Sequence, residues 1–574
     1  MVYIPLKRNT NHLGKYYERQ EISTPDTQSM TEVVGIIPAA GDPKGLWFPN
    51  DQDRTDSMVP ISGKPAIYWT LNSFISIGIK KVCIVVKKRG TALEEFVETL
   101  FSNRIQTFFT ELTHSTGVGH SIVEGTRNFP PGTPTLVVLG DTILWNTDLL
   151  QLRAESIATV ADVEDPSRWC IAEISDRKIQ KLANKPKISC SHSKALTGIY
   201  YFEKGIHITR ELQDRIDSRS NPIEMSDLLQ PLIDASALFA VEDSHWLDVG
   251  NPDHVYRAHS TLLQSRAFNH LTIDGTKGTI CKRSKYSSKF YDEINYFKLL
   301  PENLKIFFPR VINQSTEPNN LSIESEFYAY PTLGDLFLFQ DLPQPIWRRT
   351  FEKLRSIFIE FSSRNYGLNR ESGRQIYLEK NQNRVELFLS QANAEIRDFL
   401  CSKTLRINKV KAPALDEAFE RSASLLKEIA ETTTFTPIHG DLCFSNILCE
   451  PSQGLIKLID PRGSFGEKGI LGDPRYDLAK LTHSALGLYD FIVSDLCQLE
   501  MTGNEVYLSF PKPHSIASVS DQFSATFLND SNRKEVGLIT AWLFLSMLPL
   551  HNDSPQRQIS LAIRGLQLLT KALE

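Results

Sequence analysis

At 574 residues the chain is too long for one hydrophobic core, and length alone predicts two to four domains. Its 41% hydrophobic and 23% charged residues are an ordinary globular balance, and a net charge of -5 excludes a global basic field that would draw in nucleic acid or an anionic membrane. Cysteines at positions 83, 170, 190, 281, 401, 443, 449 and 497 form no C-x-x-C pair; this argues against a disulfide framework or a zinc site and predicts reduced thiols in a cytoplasm.

Residues 1–30 are a polar extension with no apolar stretch of signal-peptide length, so the expectation is a cytoplasmic chain without membrane insertion. Val33-Val34-Gly35-Ile36-Ile37-Pro38 then reads as a buried parallel strand running into the small-residue turn Ala39-Ala40-Gly41. Apolar residues at 67, 71, 74 and 75 mark a helix. KVCIVV at 81–86 and LVVL at 136–139 are two further buried strands, the last ending in Gly140-Asp141. Strand, helix, strand in this rhythm predicts a doubly wound α/β layer. In such layers ligands bind at the carboxyl ends of strands, where Ala39, Ala40, Gly41 and Asp141 fall.

Near residue 265 the pattern changes. LTIDGTKGTI at 271–280 predicts a hairpin, 291–300 a helix stopped by Pro301, and the chain beyond Pro345 is mostly helical in period. Residues 435–460 interrupt that period with loop and short strands. The apolar stretch 537–550 carries Thr540 and Ser546 and is too short to span a bilayer, so it reads as a buried helix. The domain expectation is an α/β, Rossmann-like domain over 31–265, then a two-lobed α+β domain over 266–574 whose lobes divide near 337.

The densest chemical signal is Ile438-His439-Gly440-Asp441-Leu442-Cys443-Phe444-Ser445-Asn446, followed fourteen residues later by Ile459-Asp460. Phosphoryl transfer from ATP needs a carboxylate to orient or deprotonate the attacking hydroxyl, and oxygen ligands for magnesium at the phosphates. The spacing resembles the H-x-D-x-x-x-x-N…D pattern of aminoglycoside phosphotransferases, choline kinases and protein kinases. Gly440 and the lack of a D-F-G triplet place it with the small-molecule kinases. The resemblance implies a protein-kinase-like fold with Asp441 as catalytic base and Asn446 and Asp460 as Mg2+ ligands. Lys282, in Gly278-Thr279-Ile280-Cys281-Lys282, would reach the α/β-phosphates of ATP, with Glu293 as its ion-pair partner; Lys277, Arg283 and Lys285 beside it also fit a solvated basic face. Residues 326–333 (EFYAYPTL) resemble the hinge that holds adenine, and Arg475-Tyr476-Asp477-Leu478-Ala479 the step that braces the catalytic loop. His439, Cys443 and Cys449 read as packing residues.

Residues 33–260 resemble the sugar-phosphate nucleotidylyltransferases. The likeness rests on Ile37-Pro38-Ala39-Ala40-Gly41, Val59-Pro60-Ile61-Ser62-Gly63-Lys64-Pro65, Leu139-Gly140-Asp141 and Trp246-Leu247-Asp248-Val249-Gly250-Asn251-Pro252. It implies attack of a sugar phosphate on the α-phosphorus of a second nucleoside triphosphate, with Asp141 and Asp248 holding Mg2+. Ala39, Ala40 and Gly41 would cradle the nucleotide, Gly117 would lie in the turn closing over its base, and Lys185 would hold the acceptor phosphate. The chain departs from the family pattern at Asn184, where the segment holding Lys185 usually has a glutamate, and more seriously in the nucleotide loop. The stretch Gly41-Asp42-Pro43-Lys44-Gly45-Leu46 lacks the signature arginine, and Asp56 stands at the usual lysine position. Lys44, with Arg54 as the alternative, is the nearest cation for the leaving pyrophosphate.

Together the two halves predict a bifunctional transferase. It would phosphorylate a small hydroxylated molecule (sugar, polyol or amino alcohol) and then load a nucleotide onto that phosphate for surface polysaccharide or capsule synthesis. Three alternatives stay open: a non-catalytic sensor or binding domain at the N-terminus beside a working kinase, a choline or ethanolamine acceptor, and a chain in which neither half is catalytic.

Overall fold

The computed structural model describes residues 32–41, 55–145, 147–148, 155–186, 193–218, 221–250, 252–263, 270–284, 288–317, 320–511 and 513–574. The first half contains strands β1 (Val34–Pro38), β2 (Pro60–Ile61), β3 (Lys64–Pro65), β4 (Lys81–Val86), β5 (Gln106–Glu111), β6 (Thr135–Val138), β7 (Thr142–Ile143), β8 (Ser156–Val163), β9 (Cys170–Ser175), β10 (Lys178–Asn184), β11 (Ser193–Phe202), β12 (Leu238–Glu242) and β13 (Leu247–Asp248). Nine of them form one sheet in the order β5-β4-β1-β6-β11-β8-β12-β10-β9.

β1 and β6 are buried at every position, and β4 at all but its first, which is what continuous Val/Ile/Leu runs produce when helices cover both faces. β1 pairs parallel with β4 on one side and β6 on the other. The chain therefore moves outward through β4 and β5, then returns to the opposite side of β1. That reversal is a topological switch point, where a crevice opens beyond the strand ends. Ala39 follows β1 there and Gly140-Asp141 follow β6. β7 and β13 form a separate two-stranded ladder at this edge.

The second half opens with an antiparallel sheet of β14 (His270–Asp274), β15 (Thr279–Ser284), β16 (Val311–Ser315) and β17 (Leu321–Glu326), ordered β14-β15-β17-β16. Helix Ser288–Leu299 packs Phe290 and Ile294 against Leu321 and Ile323 of this sheet. A mostly helical body follows, interrupted by the hairpin of Ile447–Glu450 with Leu455–Leu458. The apolar stretch near the end is helix Arg533–Leu545, buried from Leu538 to Leu545, and among the described residues no helix is long and apolar enough to cross a membrane.

The lobe division expected near 337 falls inside helix Leu333–Phe339. Thr332 and Asp335 close a capping box at its start, and Leu333, Leu336 and Phe337 are buried. The last strand of the β14-β15-β17-β16 sheet in chain order ends at Glu326. The same helix meets the first half: Phe339 packs edge-on to Phe96 at 5.7 Å, and Gln340 Nε2 donates to the Met58 carbonyl at 2.7 Å.

Candidate active sites

In the first half, the ladder pairing Leu247 with Ile143 and Asp248 with Thr142 brings two distant segments side by side. Val249 N–H donates to the Asp141 carbonyl at 2.7 Å. Asp141, in the turn just before β7, and Asp248, on β13, 107 positions apart in sequence, thus come side by side at the mouth of the crevice. Gly140 fits tightly against β1: a Cβ there would lie 2.7 Å from the Pro38 carbonyl oxygen and from Ser57 Oγ. Ser57 donates its hydroxyl to the Gly140 carbonyl at 2.8 Å. Ala39 and Ala40 are buried and Gly41 is exposed at the strand end.

Gly117 (φ 102) caps helix Val118–Thr126, and its neighbours are pinned across to Ile223: Gly119 N–H donates to the Ile223 carbonyl and Ile223 N–H to that of Thr116. Lys185 is exposed, in the left-handed region at φ 48, with its N–H on the Trp169 carbonyl at 2.9 Å. Trp169 stacks on His254 at 5.5 Å and meets Trp246 edge-on at 4.6 Å, and His254 Nδ1 is 4.0 Å from Asp248 Oδ1. This aromatic bracket ties the Lys185 segment to the Asp248 rim. Lys44 and Arg54 lie outside the described residues. Lys64 faces the other half, over the Tyr68 ring at 5.3 Å, with burial lowering its pKa and Asp495 and Asp335 opposing that shift.

In the second half, Lys282 on β15 binds Glu293 of helix Ser288–Leu299 at 2.8 Å and Asp460 Oδ1 at 2.9 Å. Burial alone would lower the Lys282 ammonium, but Asp460 and Glu293 hold it above the ordinary lysine value. Asp460 adopts φ 56. Asn446 Nδ2 donates to the Asp441 carbonyl at 2.8 Å and reaches its carboxylate at 3.3 Å. The loop is braced from below: Asp477 accepts the N–H groups of His439 and Gly440 at 2.7 and 2.8 Å. Burial pushes the Asp477 carboxyl up to about 7, against the pull of those two N–H groups. His439 is buried, and its Nε2 meets the Ile459 carbonyl at 2.9 Å. Burial lowers the imidazole to about 4, so it stays neutral and structural.

Three charged neighbours of this loop escaped the sequence reading. Lys480, buried on helix Pro474–Ala485, pairs with Asp441 Oδ1 at 2.9 Å. Arg462 donates to the Tyr476 hydroxyl at 3.0 Å, and Lys380 does so at 3.4 Å from helix Lys380–Gln391. The only sequence cue was proximity, since Lys480 lies three residues after Asp477 and Arg462 two after Asp460.

Each half offers oxygen donors of the kind a hard divalent cation takes: Asp141 with Asp248, and Asn446 with Asp460. Magnesium is commonly held by one or two protein groups together with substrate phosphates and water, so both sets fit it.

Residues 34–265 match the family model described as Nucleotidyl transferase. The bifunctional protein GlmU of Methanococcus vannielii is 26% identical over 255 residues, covering 42% of this chain and 59% of that protein. The glucose-1-phosphate thymidylyltransferase of Xanthomonas campestris pv. campestris (strain B100) is 29% identical over 246 residues, covering 40% of this chain and 80% of that protein. A solved UDP-glucose pyrophosphorylase complexed with UDP-glucose aligns with a TM-score of 0.34 at 19% identity, covering 41% of this chain and all of that one. The chain spans 59% and 54% of the lengths of the GlmU relatives from M. vannielii and Methanococcus maripaludis (strain C5).

Proposed function

We propose that the chain is a bifunctional transferase. Residues 34–265, a nucleotidyl transferase domain, load a nucleotide onto a sugar or polyol phosphate, and residues 266–574 make that phosphate from ATP. The observation that carries the second half is Lys282 gripped between Glu293 and Asp460, with Asp441 and Asn446 joined in one loop beside them. A lysine fixed by a helix glutamate beside a carboxylate–asparagine loop is the arrangement phosphoryl transfer uses to hold a triphosphate and an attacking hydroxyl. The acceptor oxygen forms a bond to the γ-phosphorus of ATP, the bond from that phosphorus to the β–γ bridging oxygen breaks, ADP leaves, and Asp441 takes the hydroxyl proton. Magnesium bound at Asn446 and Asp460 would neutralise phosphate charge.

In the first half, support comes from Asp141 and Asp248 meeting at the switch point and from the sugar nucleotidyltransferases among the relatives. The acceptor phosphate oxygen would attack the α-phosphorus, pyrophosphate would leave, and Lys185 would hold the acceptor. The direct experiment incubates full-length protein with Mg2+, ATP, each other nucleoside triphosphate and a panel of sugars, polyols and amino alcohols, and follows ADP, pyrophosphate and product masses. ADP and a phosphorylated product, with no pyrophosphate under any condition, would leave a kinase with a binding domain. That second reading is favoured by Asp56, which opens a short helix capped by Thr55 at the usual lysine position.

A further inference from the structure

The surroundings of Asp441 and Tyr476 are crowded with cations. Lys480 contacts the Asp441 carboxylate directly. Tyr476, buried, is approached by Arg462 at 3.0 Å and by Lys380, which also lies over its ring at 5.4 Å. Arg384, one turn along from Lys380, donates to the Ser546 carbonyl at 3.0 Å. Among the described residues, no carboxylate lies within 4.0 Å of Lys380, Arg384 or Arg462. The neighbouring acids are committed elsewhere: Asp477 to the N–H groups of His439 and Gly440, and Asp473 to Arg475 and Tyr377.

Lys480 and Arg462 act on Asp441, while Lys380, Arg384 and Arg462 gather about Tyr476, so even a Tyr476 phenolate would leave positive charge in excess. Half-buried like charges left without anions are costly, so an arrangement of this kind is completed by an anion from outside. The cost is visible at Lys380: burial, then Arg462, Arg384 and Lys480, bring its ammonium down to about 8, against the pull of Tyr476. Lys282, on the nucleotide side, answers instead to Asp460 and Glu293. The two basic groups are therefore separate, with Asp441 between a phosphate-facing lysine and an acceptor-facing cluster.

We propose that the hydroxylated acceptor of the kinase-like half is itself an anion, a hydroxy acid or hydroxyalkyl phosphate whose carboxylate or phosphate is received by Lys380 and Arg462. This rests on the kinase reading above and narrows its substrate class. It disfavours choline and ethanolamine, whose positive charge would enter a field of the same sign. The γ-phosphoryl group passes to the acceptor hydroxyl as before, and the anionic end stays unreacted as the handle that sets that hydroxyl against Asp441.

The test uses the full-length protein and calorimetric titration with glycerol 3-phosphate and D-glycerate, with glycerol and choline as neutral and cationic controls, each with and without MgADP. Either anion should bind at least tenfold more tightly than glycerol, Lys380→Met should weaken that binding at least tenfold, and Lys380→Arg should restore most of it. Anion binding no tighter than glycerol, tighter choline binding, or anion binding unchanged in Lys380→Met would overturn the proposal. MgADP binding is read separately in wild type and Asp460→Ala. Its absence in wild type would sink the kinase reading while the anion titration still judges the basic cluster.

Discussion

Asp441 is held well below the usual carboxylate range: burial works in the opposite sense, but Lys480, then Arg462 and His439, outweigh it. A carboxylate so held stays ionised across the physiological range. Removing Lys480 removes the largest favourable charge, so Lys480→Met should move the acid limb of the kcat/KM profile of phosphoryl transfer upward in pH. An unchanged limb would mean another group sets it. On the proposed kinase reading, Asp441→Asn should cost at least about 100-fold in turnover, the scale of a positioned base. Tyr476 gives an optical readout of the same charges. Burial raises its phenol, yet Lys380, Arg462 and Lys480 bring it down to about 7. Tyrosinate absorbance should therefore appear with a midpoint near neutrality, and Lys380→Met should shift that midpoint upward, since one fewer cation favours the neutral phenol. A midpoint near the ordinary value of 10.0 in wild type would show that the cluster does not act on Tyr476.

The Asp441 loop shows how an element is fixed by one backbone choice. Gly440 sits at φ 81, and a Cβ there would lie 2.8 Å from Arg462 Cβ. An alanine meets both penalties, a left-handed backbone costing of order 1–3 kcal/mol and a displaced arginine. Gly440→Ala should lower the melting temperature by several degrees and turnover by more than tenfold, with far-ultraviolet dichroism retained; wild-type kinetics in this variant would show that the loop tolerates a shift. The elements around the sites were legible because their patterns are local. Val34 to Pro38, KVCIVV and LVVL are unbroken apolar runs, and they became the buried parallel strands β1, β4 and β6. The spacing from Asp441 to Asp460 marked the loop, and the Asp477 brace followed from its own short motif. Lys480, Arg462 and Lys380 were not legible as partners, because three separate segments bring them to Asp441 and Tyr476 and no local period records that. Helix Leu333–Phe339, in which residue 337 lies, was not legible because it is short and apolar, a pattern that periodicity alone does not separate from a strand.

At the scale of the whole molecule, the two halves are not beads on a string. Phe96 of the nucleotidyl transferase domain and Phe339 of the second half, both nearly fully buried, meet edge to face, and Gln340 satisfies the Met58 carbonyl beside them. A second contact sets Tyr256, on helix Pro252–Leu262 just after Asp248, 5.2 Å from Phe327 at the end of β17. Helix Leu333–Phe339 also touches the Asp441 loop, since Gly334 lies so close to Ser445 N that a Cβ there would be 3.3 Å away. The junction is therefore apolar core with a buried hydrogen bond, and halves that share a core melt together. Full-length protein should give one calorimetric transition. Phe339→Ala removes a buried ring whose loss typically costs about 3–5 kcal/mol, and it should lower that transition and split it in two as the halves uncouple. Gln340→Ala, which leaves the Met58 carbonyl without its donor, should lower it less, by the cost of one unsatisfied buried group at about 1–3 kcal/mol. Two transitions already present in wild type, with Phe339→Ala shifting only one of them, would show that the junction does not couple the halves. Asp460→Ala would then be expected to leave nucleotide binding at Asp141 and Asp248 untouched.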